Sequence, residues 1–191
     1  MFAYVCAYGK LQGMGELSTQ RLRLVPLEVG HVQVMHDLSV DPEVRRYLFE
    51  GNIIPVQQVE QMIADSQACF DQHGVGFYAM YIEDTSHPQH GAFVGFCGFR
   101  LFEGEQELEL LLGMQPRFWG HGYGQEAARE VMRRGFDDCG FARIVAATDT
   151  PNQRSVQVLQ RLGMSFKERR EWHGLDTMFY ELTVDEYRQL P

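Results

Sequence analysis

Three glycines at alternate positions, Gly120, Gly122 and Gly124, stand between an apolar run ending at Met114 and a helical pattern reaching Phe136. No other stretch constrains the chain as tightly. Glycine enters the left-handed backbone region without steric cost and lets the main chain approach a ligand closely. A helix that starts just after such a turn presents unpaired N–H groups and the positive end of its dipole. The combination is an anion cradle. Alone, it leaves the occupant open: a dinucleotide, a nucleoside triphosphate, another phosphorylated cofactor, or nothing at all.

Spacing narrows the choice. A dinucleotide fingerprint needs its third glycine three residues after the second, where this chain has Gln125, and a strand leading straight into the first glycine, where "QPRFW" intervenes. A triphosphate loop needs Gly-Lys-Ser/Thr, which does not follow. A kinase glycine loop joins two strands, whereas a helix follows here.

The flanking periodicity outlines the rest. "RLRLVPL" alternates as a half-buried strand does, and "GFYAMYIED", "FVGFCGFRLF" and "ELELLLGM" read as three strands joined by short turns, "SHPQHGA" and "EGEQ". Such short connections favour an antiparallel meander. Helical patterns lie within Glu28 to Leu38, from Asp41 with Pro42 in the first turn, and from Pro55 through Val59, Met62, Ile63 and Phe70. After the glycines, Ala128, Met132, Phe136 and Cys139 line one helix face. "ARIVAATD" follows as a largely apolar strand, expected to be covered on both faces. The βαβ step from "ELELLLGM" to it is expected to be right-handed and parallel. Asn152 caps a short helix with Val156, Leu159 and Leu162 inside and Gly163 at its end; "SFKERREW" and "MFYELT" make a closing hairpin. The expectation is an α/β (α+β mixed) fold: a mostly antiparallel mixed sheet with one parallel crossover and helices on both faces.

Composition adds bounds. At 191 residues and 45% hydrophobic content, the chain is expected to form one ordinary domain, with no segment apolar enough to span a membrane. The start, "MFAYVCAYGKLQG", lacks a basic leader and a small-residue cleavage site, and residues 1–17 are expected to be an extension of a unit spanning 18–191. Cys6, Cys69, Cys97 and Cys139 lie far apart without a CxxC pair, which fits a reducing cytoplasm. No histidines have ligand spacing, so no metal is expected. The net charge of -9 opposes long-range attraction to nucleic acid or anionic membrane and is compatible with a cationic amine substrate.

Arg117-x-x-Gly120-x-Gly122, after a strand and before a helix, resembles the acyl-CoA signature of the GNAT (Gcn5-related N-acetyltransferase) superfamily. "PRFWGHGYGQEA" is similar to the RimJ/RimL-like ribosomal-protein N-acetyltransferase branch. "STQRLRLVPL" resembles that branch's first strand, "ELELLLGMQP" its fourth, "NQRSVQVLQRLGM" its second cofactor motif and "MFYELT" its closing strand. The resemblance covers most of Ser18 to Thr183, and it implies the GNAT fold, acetyl-CoA as co-substrate and an N-acetyltransferase activity. By position, Leu112, Gly113 and Met114 would offer backbone bonds to the pantetheine arm in a gap between the fourth and fifth strands. Arg117, Trp119, Gly120, His121, Gly122, Tyr123 and Gly124 would wrap the pyrophosphate, and Asn152 would contact the arm.

The implied reaction is direct transfer from a thioester to an amine, which needs a base, a donor for the carbonyl oxygen and a proton for the departing thiolate. Glu109 is the expected base, with Glu107 second, because residues two apart on a strand share a face; Glu171 is third. The acid that many relatives supply as a tyrosine seven residues after the motif asparagine is here Leu159, and Ser155 takes the position where the RimL-like branch carries a serine near the sulfur. Tyr47, Phe49, Trp172 and His173 are candidate acceptor-site linings. The resemblance suggests a protein N-terminal amine as acceptor, with small-molecule amines or a non-catalytic CoA- or partner-binding module as alternatives.

Overall fold

The period-2 stretches become strands and the 3.6-period stretches helices in the computed structural model, which describes residues 15–102 and 107–190. A two-residue strand, β1 (Leu17–Ser18), pairs with β2 (Leu22–Pro26). A 3-10 turn leads into α1 (Val32–Val40), then α2 (Pro42–Leu48) and α3 (Val56–His73). Asp41 caps α2 by accepting from the N–H groups of Glu43 and Val44, as its place before Pro42 predicts. The meander is β3 (Phe77–Ile82), β4 (Phe93–Leu101) and β5 (Leu108–Met114). Helix α4 (Tyr123–Arg133) continues into a π-turn and leads to β6 (Arg143–Asp149). The chain closes with α5 (Gln153–Arg161), β7 (Ser165–Trp172), β8 (Leu175–Thr183) and the short α6 (Val184–Tyr187). Because β1 is an added edge, the strand expected as fourth is β5. The turn expected at 103–106 and the stretch 1–14 lie outside the described residues.

The strands form one eight-stranded sheet in the order β1-β2-β3-β4-β5-β6-β8-β7. Every pair is antiparallel except β5 with β6, the expected parallel crossover. Alternation along β3 distributes its side chains to two cores. Tyr78, Met80 and Ile82 join the cluster under α4, whereas Phe77 and Ala79 join the cluster under α1, α2 and the first turns of α3. Helices therefore cover both faces. On α4, Val131 and Met132 are buried, each contributing about 1.5–3 kcal/mol of apolar transfer. Strand β6 departs from expectation: Ile144, Ala146 and Thr148 are buried, but Val145, Ala147 and Asp149 on its other face are only half-buried.

The outer strand β7 is guarded by its own charges, Lys167, Glu168, Arg169 and Arg170, all in ion pairs. Inside the sheet, β3 and β4 approach so closely that a Cβ at Gly98 would lie 2.1 Å from the Gly76 carbonyl oxygen and 2.6 Å from Phe77 Cα. Those obstacles are backbone and cannot rotate away. Gly98→Ala is therefore expected to destabilise the fold by about 1–3 kcal/mol, seen in urea denaturation as a lower midpoint at unchanged slope.

Candidate active site

Two parallel neighbours normally share an evenly spaced ladder. Here β5 and β6 are in register at a single rung, Glu109 opposite Val145, and then part. Beyond that rung the chain from Leu110 to Met114 has a full partner in β4 on one side and a cleft on the other. The cavity has a volume of about 1000 Å³ and runs from the glycine loop, past β5, β6 and α5, to α2 and the β7–β8 turn.

At one end stands the loop. Gly120 and Gly122 have φ of +80° and +82°, in the left-handed region that favours glycine. Gly122 occupies the N-cap of α4 and has no side chain to cap with, so the N–H groups of Tyr123, Gly124 and Gln125 have no intrahelical partner. Gly124 has another role: a Cβ there would meet Leu112 and the Met114 sulfur at 2.8 Å, so the residue lets α4 lie directly on β5. Trp119 donates its indole N–H to the Met114 carbonyl at 2.9 Å, which ties the loop to the strand end and occupies that carbonyl. Arg154 of α5 stacks over the Trp119 ring at 4.7 Å.

The loop is also clamped from a place that local sequence does not reveal. Arg21, from the β1–β2 turn, donates to Glu126 of α4 through Nε at 2.7 Å and through its backbone N–H at 2.8 Å. The same guanidinium donates to the His121 carbonyl at 3.0 Å and lies 4.6 Å above the Tyr123 ring. Thr19 adds a bond to Glu126 at 2.6 Å. Burial pushes the Glu126 carboxyl up, but the hydrogen bonds from Thr19 and Arg21 together outweigh it and hold it below its ordinary value. An acid in the first turn of a helix is a readable dipole signal; its partner 105 residues earlier is not.

The expected site residues divide. Leu112, Gly113, Met114, Trp119, Gly120, Gly122, Tyr123, Gly124, Asn152, Ser155 and Glu109 all line the cleft, as does Leu159. Arg117 and His121 do not: the first stacks on Phe118 at 4.8 Å and the second offers its carbonyl to Arg21. Asn152 caps α5 through the Ser155 N–H at 3.3 Å. Glu109 is 2% exposed, and its carboxylate accepts from Arg100 Nε at 2.6 Å. Glu107 shares its face but sits outside the cleft in an ion pair with Arg143, and Glu171 is also outside it. Tyr47, Phe49, Trp172 and His173 line the end away from the glycines. There Phe102 stacks on Trp172 at 5.5 Å, and Arg170 lies over the Trp172 and Phe179 rings at 4.4 and 4.2 Å.

Charged groups of both signs line the cleft: Arg154 and Arg161 of α5, the Arg100–Glu109 pair, and Glu43, Glu50 and Asp149. Among the described residues no group of three His, Cys, Asp or Glu is placed to hold a metal, and no helix is long and apolar enough to cross a membrane. Cys69, Cys97 and Cys139 are buried away from the cleft, and burial pushes the Cys97 thiol up to about 12.

A sheet that parts beside a glycine-capped helix defines an acyltransferase of the GNAT type, and residues 21–165 match the acetyltransferase (GNAT) domain family. The chain belongs to that family and is an N-acetyltransferase. It is 28% identical over 173 residues to FsC-acetyl coenzyme A-N(2)-transacetylase of Aspergillus fumigatus, covering 80% of this chain and 66% of that protein. It is 25% identical to the uncharacterized N-acetyltransferase p20 of Bacillus licheniformis, covering 91% and 99%. Its fold superposes with a TM-score of 0.74 on RimL, a ribosomal L7/L12 alpha-N-protein acetyltransferase solved with coenzyme A, at 14% identity over 90% of this chain and 99% of that one.

The depressed Glu126 carboxyl has a consequence for acid stability. A carboxyl lowered on folding contributes stability above its unfolded value, near 4.3, and loses it as pH falls through the folded value. Glu126→Gln removes that contribution. Its thermal midpoint is expected to fall below wild type at neutral pH and to converge on it below about pH 4, as scanning calorimetry across the acid range would register.

Proposed function

We propose that this protein transfers an acetyl group directly from acetyl-CoA to a primary amine, and that the amine is the N-terminus of a protein or peptide. The observation that carries the reading is the one-rung contact of β5 with β6, which joins the amide cradle at one end of a single cleft to an aromatic pocket at the other. The cradle suits a diphosphate: three helix-start N–H groups face it, and a Cβ at Gly120 would meet nothing within 4 Å. Bound there, acetyl-CoA supplies an acetyl thioester.

The chain's own groups do the rest. Backbone N–H groups of β5 near Leu112 and Gly113, freed from any β6 partner, stabilise the carbonyl oxygen as charge develops on it. Ser155, half-buried in the first turn of α5, positions or protonates the departing sulfur in the place that Leu159 cannot fill. Of the three glutamates weighed from the sequence, Glu109 is the one that lines the cleft. None of the described cysteines is placed to carry an acyl intermediate, which supports direct transfer. The carboxylates Glu43, Glu50 and Asp149 on the cleft wall favour an acceptor that is cationic before it reacts.

The RimL likeness supports an N-terminal amine, and the relative named as an FsC transacetylase supports a small-molecule amine as the second reading. Free-thiol release from acetyl-CoA with a panel of N-terminal peptides and small amines, products read by mass spectrometry, separates them. N-acetylated peptides at rates above the small amines support the first reading. Acetylation of small amines alone overturns it in favour of the second, and tight CoA binding without thiol release overturns both.

Two substitutions probe the machinery. Gly122→Val forces a β-branched residue to φ near +82°, at a cost of roughly 1–2 kcal/mol, and is expected to abolish acetyl-CoA binding in calorimetry while leaving a cooperative fold. Ser155→Ala is expected to lower kcat more than it raises the KM for acetyl-CoA; unchanged kinetics would remove the hydroxyl from the reaction.

A further inference from the structure

The geometry points to Asp149 as the group that takes the proton from the acceptor's ammonium form, with Glu50 opposite it holding that ammonium in the cleft. The inference rests on the acetyl-transfer reading and concerns one step within it. Residues 145, 147 and 149 share a face, and Val145 is level with Glu109, so Asp149 faces the same side of the sheet as Glu109. It lies four residues past the shared rung, about 13 Å along the strand, where β5 and β6 have parted. Its carbonyl accepts from the Asn152 N–H at 2.8 Å, so Asp149 belongs to the turn that also carries Asn152 and Ser155. Thr177, its cross-strand neighbour on β8, places its hydroxyl beside the carboxylate.

The neighbourhood distinguishes Asp149 from Glu109. Glu109 has a counter-charge in Arg100 at 2.6 Å, whereas Asp149 forms no ion pair with a cation among the described residues. The titratable and charged groups lining the cleft with it are Glu43 and Tyr47 on α2, Glu50 on the α2–α3 loop, Tyr123 on α4, His173 on the β7–β8 turn, Arg161 and Arg154 on α5, the latter stacked over Trp119, and the Arg100–Glu109 pair. Burial first, then the charge of Glu50, holds the Asp149 carboxyl above its ordinary value, against the pull of Thr177. Two carboxylates that repel each other are relieved by a cation or a proton between them. Glu50 and His173 are also the two non-glycine residues held at positive φ among the described residues, 56° and 50°, and both line the cleft.

The step balances without further reagents. An N–H bond of the ammonium breaks and its proton passes to Asp149, leaving the lone pair to form the C–N bond as the C–S bond breaks. The remaining excess proton on nitrogen passes to the thiolate through Ser155 or water, and Asp149 returns its proton to solvent.

The test is thiol release against pH with two probe amines, an alanyl-peptide amide and 1,3-diaminopropane, for wild type, Asp149→Asn, Glu50→Gln and Glu109→Gln. Wild-type activity should rise with pH through an acid limb. Asp149→Asn should lose about 100-fold in kcat, lose the limb, keep the KM for acetyl-CoA and keep the wild-type melting temperature. Glu50→Gln should move the limb to lower pH and raise the amine KM, and Glu109→Gln should keep the limb. Wild-type rate and limb in Asp149→Asn, or loss of the limb in Glu109→Gln in place of it, overturns the inference. Acetyl-CoA binding without thiol release from either probe counts against the transfer reading instead. Carbon-13 NMR of the Asp149 carboxyl gives a second check beside the kinetics: its titration is expected to fall in Glu50→Gln, and a titration indifferent to Glu50 overturns the inference.

Discussion

The site depends on one missing ladder. β5 and β6 touch at Glu109 and Val145 and then separate, although each keeps a full partner on its other side, β4 and β8. A parted sheet leaves backbone donors and acceptors facing a cavity, and such groups demand partners. An extended chain bearing amides, laid into the gap, supplies them as a strand would. The cleft thus offers an open strand edge to a ligand that carries amides.

Keeping that gap open at a defined width requires the loop at its end to be rigid. Trp119 anchors the loop to Met114, Gly124 lets α4 rest on Leu112 and Met114, and Arg21 clamps the loop carbonyl of His121 to the acid of α4. The Trp119 bond is neutral and the Arg21 bond to His121 is exposed, so each contributes about 0.5–1.5 kcal/mol, together opposing the entropy of a glycine-rich turn. The three alternate glycines do different things: Gly120 and Gly122 supply positive φ, and Gly124 supplies close packing.

What could be read from the sequence was local. Asp41 before Pro42, Asn152 before its helix, Gly163 after it, and the alternation along Leu22–Pro26 each depend on residues a few places apart, and each takes the expected form. Glu107 and Glu109 share a face as period 2 requires, yet their fates differ because Arg143 on β6 takes one and Arg100 on β4 takes the other. Thr19 and Arg21 meet Glu126 across more than 100 residues. Asp149 passed unremarked because a lone acid at the end of an apolar strand has no local pattern; only the register of β6 against β5 and β8 turns it toward the cleft. Pairings of this sort are set by topology, and topology is not written in any short window.

The cleft has the glycine loop at one end and the aromatic β7–β8 turn at the other, with arginines and carboxylates both on its wall. The parted strands are what bring those ends together, and amide hydrogen exchange with and without coenzyme A reports on them directly. Binding is expected to slow exchange at Tyr123, Gly124 and Gln125 and along Leu112 to Met114, while the outer strand β7 stays unchanged. Unaltered exchange at those amides in the presence of bound coenzyme A, with protection elsewhere on the molecule, would contradict it.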